Sequence, residues 1–167
     1  GELALQNARD LFHILKWNNE NGIKLFRLSS EFFPWASEYN FEDLPQYLRI
    51  RTLLAGCGNY AKQNGIRIRG SISCSFGCPY EGSVEPTQVA EVVKRMMALG
   101  CDEIDIADTI GVATAGKVRR VFEHAAREFP LDQLSGHFHD TYGQALANIY
   151  AALEVGVSIY HSSVAGL

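Results

Sequence analysis

Short apolar runs alternate with stretches of helical periodicity along the chain. The strand-like runs cover residues 23–28, 66–75, 103–107, 134–139 and 157–162. Apolar residues recur near the 3.6-residue spacing of helices over residues 3–20, 43–63, 85–99, 114–128 and 143–154. Strands separated by helices pair in parallel, because a helix-length crossover returns the chain to the same edge of the sheet. The pattern therefore predicts an α/β fold with about five parallel strands.

The number of predicted strands indicates that this chain forms only part of a larger fold. A closed (βα)8 barrel takes about 250 residues and eight strands, whereas this chain has 167 residues. We expect one α/β domain over residues 1–167, built as a partial (βα)8 (TIM) barrel. The alternative is an open, flavodoxin-like sheet with helices on both faces. A partial barrel leaves strand edges unpaired, so we expect a homodimer formed through exposed sheet edges.

Composition bears on the partners and the compartment. With 15 Lys and Arg against 19 Asp and Glu, the net charge of −4 argues against a broad phosphate-binding surface and predicts no nucleic acid partner. No apolar run approaches the roughly 18 residues of a membrane span, so no membrane partner is expected. The four cysteines form no Cys-x-x-Cys pair, which favours free thiols in a reducing compartment. Without a targeting signal, a cytoplasmic location is expected.

The tripeptide His137-Phe138-His139, at the end of an apolar run, is the strongest candidate site. Strand alternation places both imidazoles on one face, about 7 Å apart along the chain. Such a pair supplies two metal ligands and no more. The alternative is that both are inward-facing histidines hydrogen-bonded to Asp105, Asp108 or Asp140.

Four motifs carry a resemblance to a known family. They are RGSISCSFGCPYEG at 69–82, GCDEI at 100–104 with ADTIGV at 107–112, HFHDTYGQALAN at 137–148, and SSVAGL at 162–167. In this order they closely resemble 3-hydroxy-3-methylglutaryl-CoA lyase, a metallolyase with a TIM barrel of the DRE type. The resemblance covers about residues 68–167.

An earlier segment resembles a different family. The strings LKWN at 15–18, NGIKLFRLSS at 21–30 and FPWAS at 33–37 are similar to UV-damage endonuclease, another TIM barrel. That resemblance covers about residues 3–68 and carries none of that family's metal ligands. Together the two resemblances imply a chimera, with a 3–68 segment joined to a 69–167 half barrel near residues 67–70.

The lyase resemblance implies roles for particular residues. It makes His137 and His139 ligands of Mg²⁺ or Mn²⁺, with weak binding because only two ligands are present. It makes His137, Asp108 and Arg69 vestigial catalytic residues. Two positions depart from the family pattern: Asp105 stands where Ser is common, and His161 where Asp is common. The family's catalytic cysteine lies just beyond the SSVAGL motif, where this chain stops.

Three functions follow from these observations. The first is an engineered or recombined barrel fragment with no evolved activity. The second is a divalent-metal-dependent hydroxymethylglutaryl-CoA lyase with an incomplete site, acting on a small acyl-CoA by retro-Claisen cleavage of a carbon–carbon bond. The third is a weak metal- or anion-binding module. We expect the first, and therefore no enzyme activity.

Overall fold

A computed structural model describes the chain over residues 2–29 and 44–163, with side chains for residues 9–25 and 54–163. Five helices and five strands alternate along it. They are α1 (Glu2–Glu20), β1 (Leu25–Ser29), α2 (Leu44–Gln63), β2 (Arg67–Ile72), α3 (Pro86–Ala98), β3 (Glu103–Asp108), α4 (Ala115–Ala125), β4 (Leu134–Phe138), α5 (Ala145–Val155) and β5 (Ile159–Tyr160). The predicted α/β fold with about five strands is confirmed.

The five strands form one parallel sheet in the order β1-β2-β3-β4-β5. Because each strand pairs with the next strand in sequence, right-handed crossovers place all the connecting helices on the same face of the sheet. This order is that of a barrel wall. A flavodoxin-like sheet would reverse direction at a switch point, and the described strands show no reversal, so the partial-barrel alternative is the correct one.

The two faces of the sheet differ in polarity. Side chains that alternate toward the helices form the apolar core, with Ile104 and Ile106 fully buried against helix residues such as Met96 and Phe122. The opposite face is polar. It carries Arg69 and Ser71 on β2, Glu103 and Asp105 on β3, and Ser135 and His137 on β4. We call this second surface the polar face.

Two strands are shorter than predicted. The run at 66–75 continues as a strand only to Ile72, because Cys74 adopts a left-handed backbone conformation (φ 57°) that turns the chain. The run at 157–162 contains only two strand residues, Ile159 and Tyr160, which pair with Ser135 and Gly136. The sheet is therefore least extensively paired at β5. None of the described helices is long and apolar enough to cross a membrane.

Gly58 on α2 lies against the turn that follows α3. A Cβ atom added there would overlap the backbone oxygen of Leu99, whereas one added at Gly56 meets no atom of the described residues within 4 Å. In the same turn Gly100 has a left-handed conformation (φ 97°). The contact between α2 and this turn thus requires a glycine at position 58 but not at position 56.

Alanine substitutions at these two glycines should have opposite effects on stability. Gly58→Ala should lower the free energy of unfolding by about 1–3 kcal/mol, because a backbone atom must move to admit the methyl group. Gly56→Ala, in the same helix, should raise it by about 0.5–1 kcal/mol through the lower entropy of the unfolded chain. Urea unfolding followed by circular dichroism measures both. Equal effects at the two positions would contradict the close contact of Gly58 with the backbone of Leu99.

Candidate functional site

The carboxyl ends of β2, β3 and β4 lie side by side, and three of the candidate residues, His137, His139 and Asp108, lie at or just past these ends. Parallel register places His137 beside Ala107 and Ser71 beside Asp105. Active sites of βα barrels form at this edge, from the loops that follow the strands. The site is therefore built from the loops after Ile72, Asp108 and Phe138.

The structure brings His137 and His139 together. Their Nε2 atoms are 3.2 Å apart and their ring centroids 5.0 Å apart. His137 is half-buried and His139 is exposed. At this distance the two nitrogens can form one hydrogen bond, in which one nitrogen carries the proton and the other accepts it. If neither nitrogen carries a proton, both can instead bind one cation. The pair is thus arranged as sequence alternation predicted, and its role as a ligand pair stays a prediction.

Asp108 holds the loop between β3 and α4. Its carboxylate is buried, and both oxygens accept from the backbone N–H of Ala113, at 3.1 and 3.2 Å. Burial raises the pKa of Asp108 above its ordinary value, although the N–H groups of Ala113 and Val112 and the nearby charges of His139 and Lys117 act to lower it. The predicted catalytic role of Asp108 stays a prediction; its observed contacts fix the backbone of the loop.

The loops at this edge fix one another. Gly111 has φ 71°, and a Cβ there would lie 2.5 Å from Oγ1 of Thr141 in the next loop. Asp140 Oδ1 accepts from the N–H of Ala145 at the start of α5. In the preceding loop, the N–H of Cys74 donates to Thr109 Oγ1 at 2.8 Å. A hydrogen bond therefore links the loops after β2 and β3, and the close approach of Gly111 to Thr141 links the loops after β3 and β4.

Arg69 lies below the histidine pair, within the polar face. Its Nη1 is 2.8 Å from Nδ1 and 2.9 Å from Nε2 of His161. His161 Nε2 is 2.8 Å from Oε1 of Glu103, which also accepts from Ser135 at 2.9 Å. Arg69 thus joins His161, Glu103 and Ser135 in one hydrogen-bonded network, and its predicted catalytic role stays a prediction.

This network lowers the pKa of the Glu103 carboxyl group. Burial alone would raise the pKa of Glu103, but hydrogen bonds from His161 and Ser135 and the positive charge of Arg69 lower it below the ordinary value. Sequence reasoning missed Glu103 and Ser135. The signal was present, because Glu103 and Asp105 are two acids at strand alternation in an otherwise apolar run.

The potential metal ligands are few. Within residues 2–29 and 44–163, no group of three or more His, Cys, Asp and Glu side chains is close enough to hold a metal ion. The prediction that His137 and His139 are metal ligands stays a prediction.

Comparison with known proteins identifies the family. The model of the HMGL-like family matches residues 31–167, which is most of the chain. The chain belongs to the HMGL-like family. This matched region contains the histidine pair, Asp108 and the network around Arg69.

Individual members agree with this assignment. The HMGL-like chain is 57% identical over 107 residues to 3-hydroxy-3-isohexenylglutaryl-CoA/hydroxy-methylglutaryl-CoA lyase of Pseudomonas aeruginosa, covering 64% of this chain and 36% of that protein. It is 54% identical over 107 residues to cytoplasmic 3-hydroxy-3-methylglutaryl-CoA lyase of Danio rerio, covering 64% and 32%. The crystal structure of the hydroxymethylglutaryl-CoA lyase from Pseudomonas aeruginosa superposes with a TM-score of 0.73 at 43% identity, covering 91% of this chain and 50% of that one.

The chain thus spans about a third of the length of these curated relatives and half of the solved lyase. Among the similar proteins, some are named cytoplasmic and others mitochondrial. The predicted cytoplasmic location therefore stays a prediction.

The expectation of a recombined fragment without evolved activity is wrong. Relatives at 50–57% identity carry the name of a lyase. The HMGL-like match starts at residue 31 and passes through the predicted seam at residues 67–70 without a break. Solved lyases superpose over 91–92% of the chain, including most of the segment that resembled UV-damage endonuclease. The comparisons show no UV-damage endonuclease component.

Replacing Glu103 should change how stability depends on pH. A carboxyl group with a lowered pKa stabilises the fold above its ordinary pKa, about 4.3, and loses that contribution as pH falls through its value in the folded protein. Glu103→Gln should therefore unfold at lower urea than the parent at pH 7, and the gap should narrow at pH 3. Glu91→Gln, at an exposed position on α3, serves as the control. A gap that is equal at both pH values would contradict the lowered pKa.

Proposed function

We propose that this chain is part of a divalent-metal-dependent lyase that cleaves a carbon–carbon bond in a branched 3-hydroxyacyl-CoA thioester, as in hydroxymethylglutaryl-CoA. The observation that carries the proposal is the pair of imidazole nitrogens 3.2 Å apart at the carboxyl edge of the sheet, in a chain whose relatives are named for this reaction. Active sites of βα barrels lie at this edge.

The spacing of the two imidazole nitrogens suits the binding of one metal cation. Ligand atoms bound to one metal at about 2.1 Å lie about 3 Å from each other along an edge of the coordination shell. His137 and His139 meet this spacing with their Nε2 atoms, and the buried carboxylate of Asp108 contributes favourable charge near His139. A bound Mg²⁺ or Mn²⁺ would supply Lewis acidity that polarises the oxygens of the substrate.

The chain's own residues then have distinct tasks. His139 is exposed and would hold the metal through Nε2, while half-buried His137 would hold the metal and lie against the tertiary hydroxyl of the substrate. Removal of the hydroxyl proton lets the carbon–carbon bond break, which leaves a ketone and the enolate of an acyl thioester. Protonation of that enolate completes the reaction. For hydroxymethylglutaryl-CoA the products are acetoacetate and acetyl-CoA.

The linked loops explain how these residues stay in place. Asp108 fixes the loop after β3 through Ala113, and Thr141 of the following loop packs against Gly111. Since a displacement of about 1 Å in a reacting group can reduce the rate about 100-fold, this support is part of the catalytic arrangement.

Metal-dependent release of acetoacetate tests the proposal. Purified protein with Mg²⁺ or Mn²⁺ and hydroxymethylglutaryl-CoA should release acetoacetate, and EDTA should abolish it. His139→Ala should lower kcat/KM about 100-fold or more, because a metal ion contributes several kcal/mol to transition-state stabilisation. His124→Ala, on α4, is the matched control and should leave the rate unchanged.

Two results would contradict the proposed function. One is that the parent protein releases no acetoacetate at any metal concentration. The other is that release is the same in the parent and in His139→Ala. Measuring Mn²⁺ binding by electron paramagnetic resonance distinguishes a variant that no longer binds the metal from one that binds it but no longer cleaves the substrate.

We also propose that two copies of the chain associate. Among the described strands, β1 and β5 each pair on one side only, and unpaired strand edges are templates for association. Beside β5, helix α5 exposes an apolar stripe of Leu146, Tyr150 and Leu153, of which Leu146 is 81% exposed. Exposed apolar surface of this kind marks contact sites.

Sedimentation equilibrium at micromolar concentration tests the dimer. We expect an average mass that rises with concentration above the 18.5 kDa of one chain. Leu146→Glu should shift the equilibrium toward the monomer, because it places a charge in the stripe. A constant mass of one chain over the whole concentration range would rule out the dimer.

A further inference from the structure

Strand β5 is joined to the sheet by very little backbone. It contains two residues, Ile159 and Tyr160, that pair with β4. One more backbone bond follows, from the N–H of His161 to the carbonyl of Gly136 at 3.0 Å. A two-residue edge strand has few ladder bonds to hold it, so side chains must contribute to its position.

Each face of the sheet offers one such side chain. Toward the helices, the hydroxyl of Tyr160 donates to the carbonyl of Val157 at 2.8 Å, within the turn that enters β5. On the polar face, the ring of His161 reaches past β4 to β2 and β3. There Nη1 of Arg69 lies 2.8 Å from Nδ1 and 2.9 Å from Nε2 of the ring, and Oε1 of Glu103 lies 2.8 Å from Nε2.

We propose that His161 is a positioning residue that clamps the exit of β5 to β2 and β3, as a neutral imidazole that accepts from Arg69 through Nδ1 and donates to Glu103 through Nε2. The proposal does not depend on lyase activity. It goes beyond the proposed function by assigning a task to His161, which the proposed chemistry does not use.

The chemistry of the neighbours fixes the form of the ring. The carboxylate of Glu103 is an acceptor and lies 2.8 Å from Nε2, so that nitrogen must carry the proton. Arg69 is a donor and has no acceptor. Its Nη1 lies 2.8 Å from Nδ1 and 2.9 Å from Nε2, and with Nε2 protonated only Nδ1 can accept from it. The Nε2–H tautomer of neutral histidine meets both requirements, whereas an imidazolium would place an N–H against Arg69.

The clamp also connects two charges. Arg69 and Glu103 stand opposite each other in the register of β2 and β3, and in the part of the chain that the structure describes their hydrogen-bonded connection passes through the ring. Arg69 is half-buried, and Glu103 is 9% exposed. Partly buried charges need hydrogen-bonding partners, so removing the ring would leave both groups less satisfied as well as releasing β5.

Three variants separate this role from ordinary packing. His161→Leu keeps bulk and removes both hydrogen bonds. His161→Gln keeps one acceptor and one donor on a side chain of similar reach. His124→Gln removes an imidazole from α4, outside the network, and is the control.

Hydrogen–deuterium exchange of peptides covering residues 157–163 is the first measurement. We expect exchange about tenfold faster in His161→Leu, the loss that a charge-assisted hydrogen bond implies, and within about threefold of the parent in His161→Gln. Peptides from α4 should be unchanged in all variants. Parent-like exchange in His161→Leu, or equally fast exchange in both His161 variants, would overturn the clamp.

The ring form is tested directly by the ¹⁵N spectrum of the histidine ring nitrogens, assigned by the resonance that disappears in His161→Gln. At pH 8 we expect the Nε2–H tautomer. The Nδ1–H tautomer or an imidazolium would overturn the proposal, even if His161→Leu fails to fold. Neither measurement requires turnover, so a chain without lyase activity can still confirm the clamp.

Discussion

The unequal polarity of the two sheet faces underlies the rest of this structure. Right-handed crossovers between sequential parallel strands place all the helices on one side, so that one face buries isoleucines such as Ile104 and Ile106 while the other carries charge. The parallel register of the strands then brings side chains from neighbouring strands into contact on the same face. Ser71 meets Asp105, and Ser135 meets Glu103, because both members of each pair alternate toward the polar face.

The same register explains the position of the candidate site. Strand ends in a parallel sheet meet at one edge, and the loops that leave them are short enough to contact one another. Backbone N–H groups bonded to Asp108 and Asp140 set the course of two of these loops. His137 lies on β4, and His139 lies just past its end. The two imidazoles come together between these fixed loops. Among the described residues, no third potential ligand joins them in a metal-binding group.

The incorrect prediction of a chimera has a physical cause. Every βα unit of a barrel repeats the same alternation of amphipathic helix, glycine turn and apolar strand, so short strings from one barrel family resemble those of another. The strings at 15–37 carried no site residues that could separate the families. By contrast, the motifs around Asp108 and His137 contain the polar residues of the site, and they identified the lyase-like region correctly.

The sequence by itself determined the fold class, the order of elements and the histidine pair. These depend on periodicity and on alternation within single segments, which are local properties of the chain. Tertiary structure alone decided the strand order that excludes the flavodoxin-like sheet, the early end of β2 at Cys74, and the junction of Arg69, Glu103 and His161. Glu103 and His161 are 58 residues apart, and only the winding of three strands into one sheet brings them within hydrogen-bonding distance.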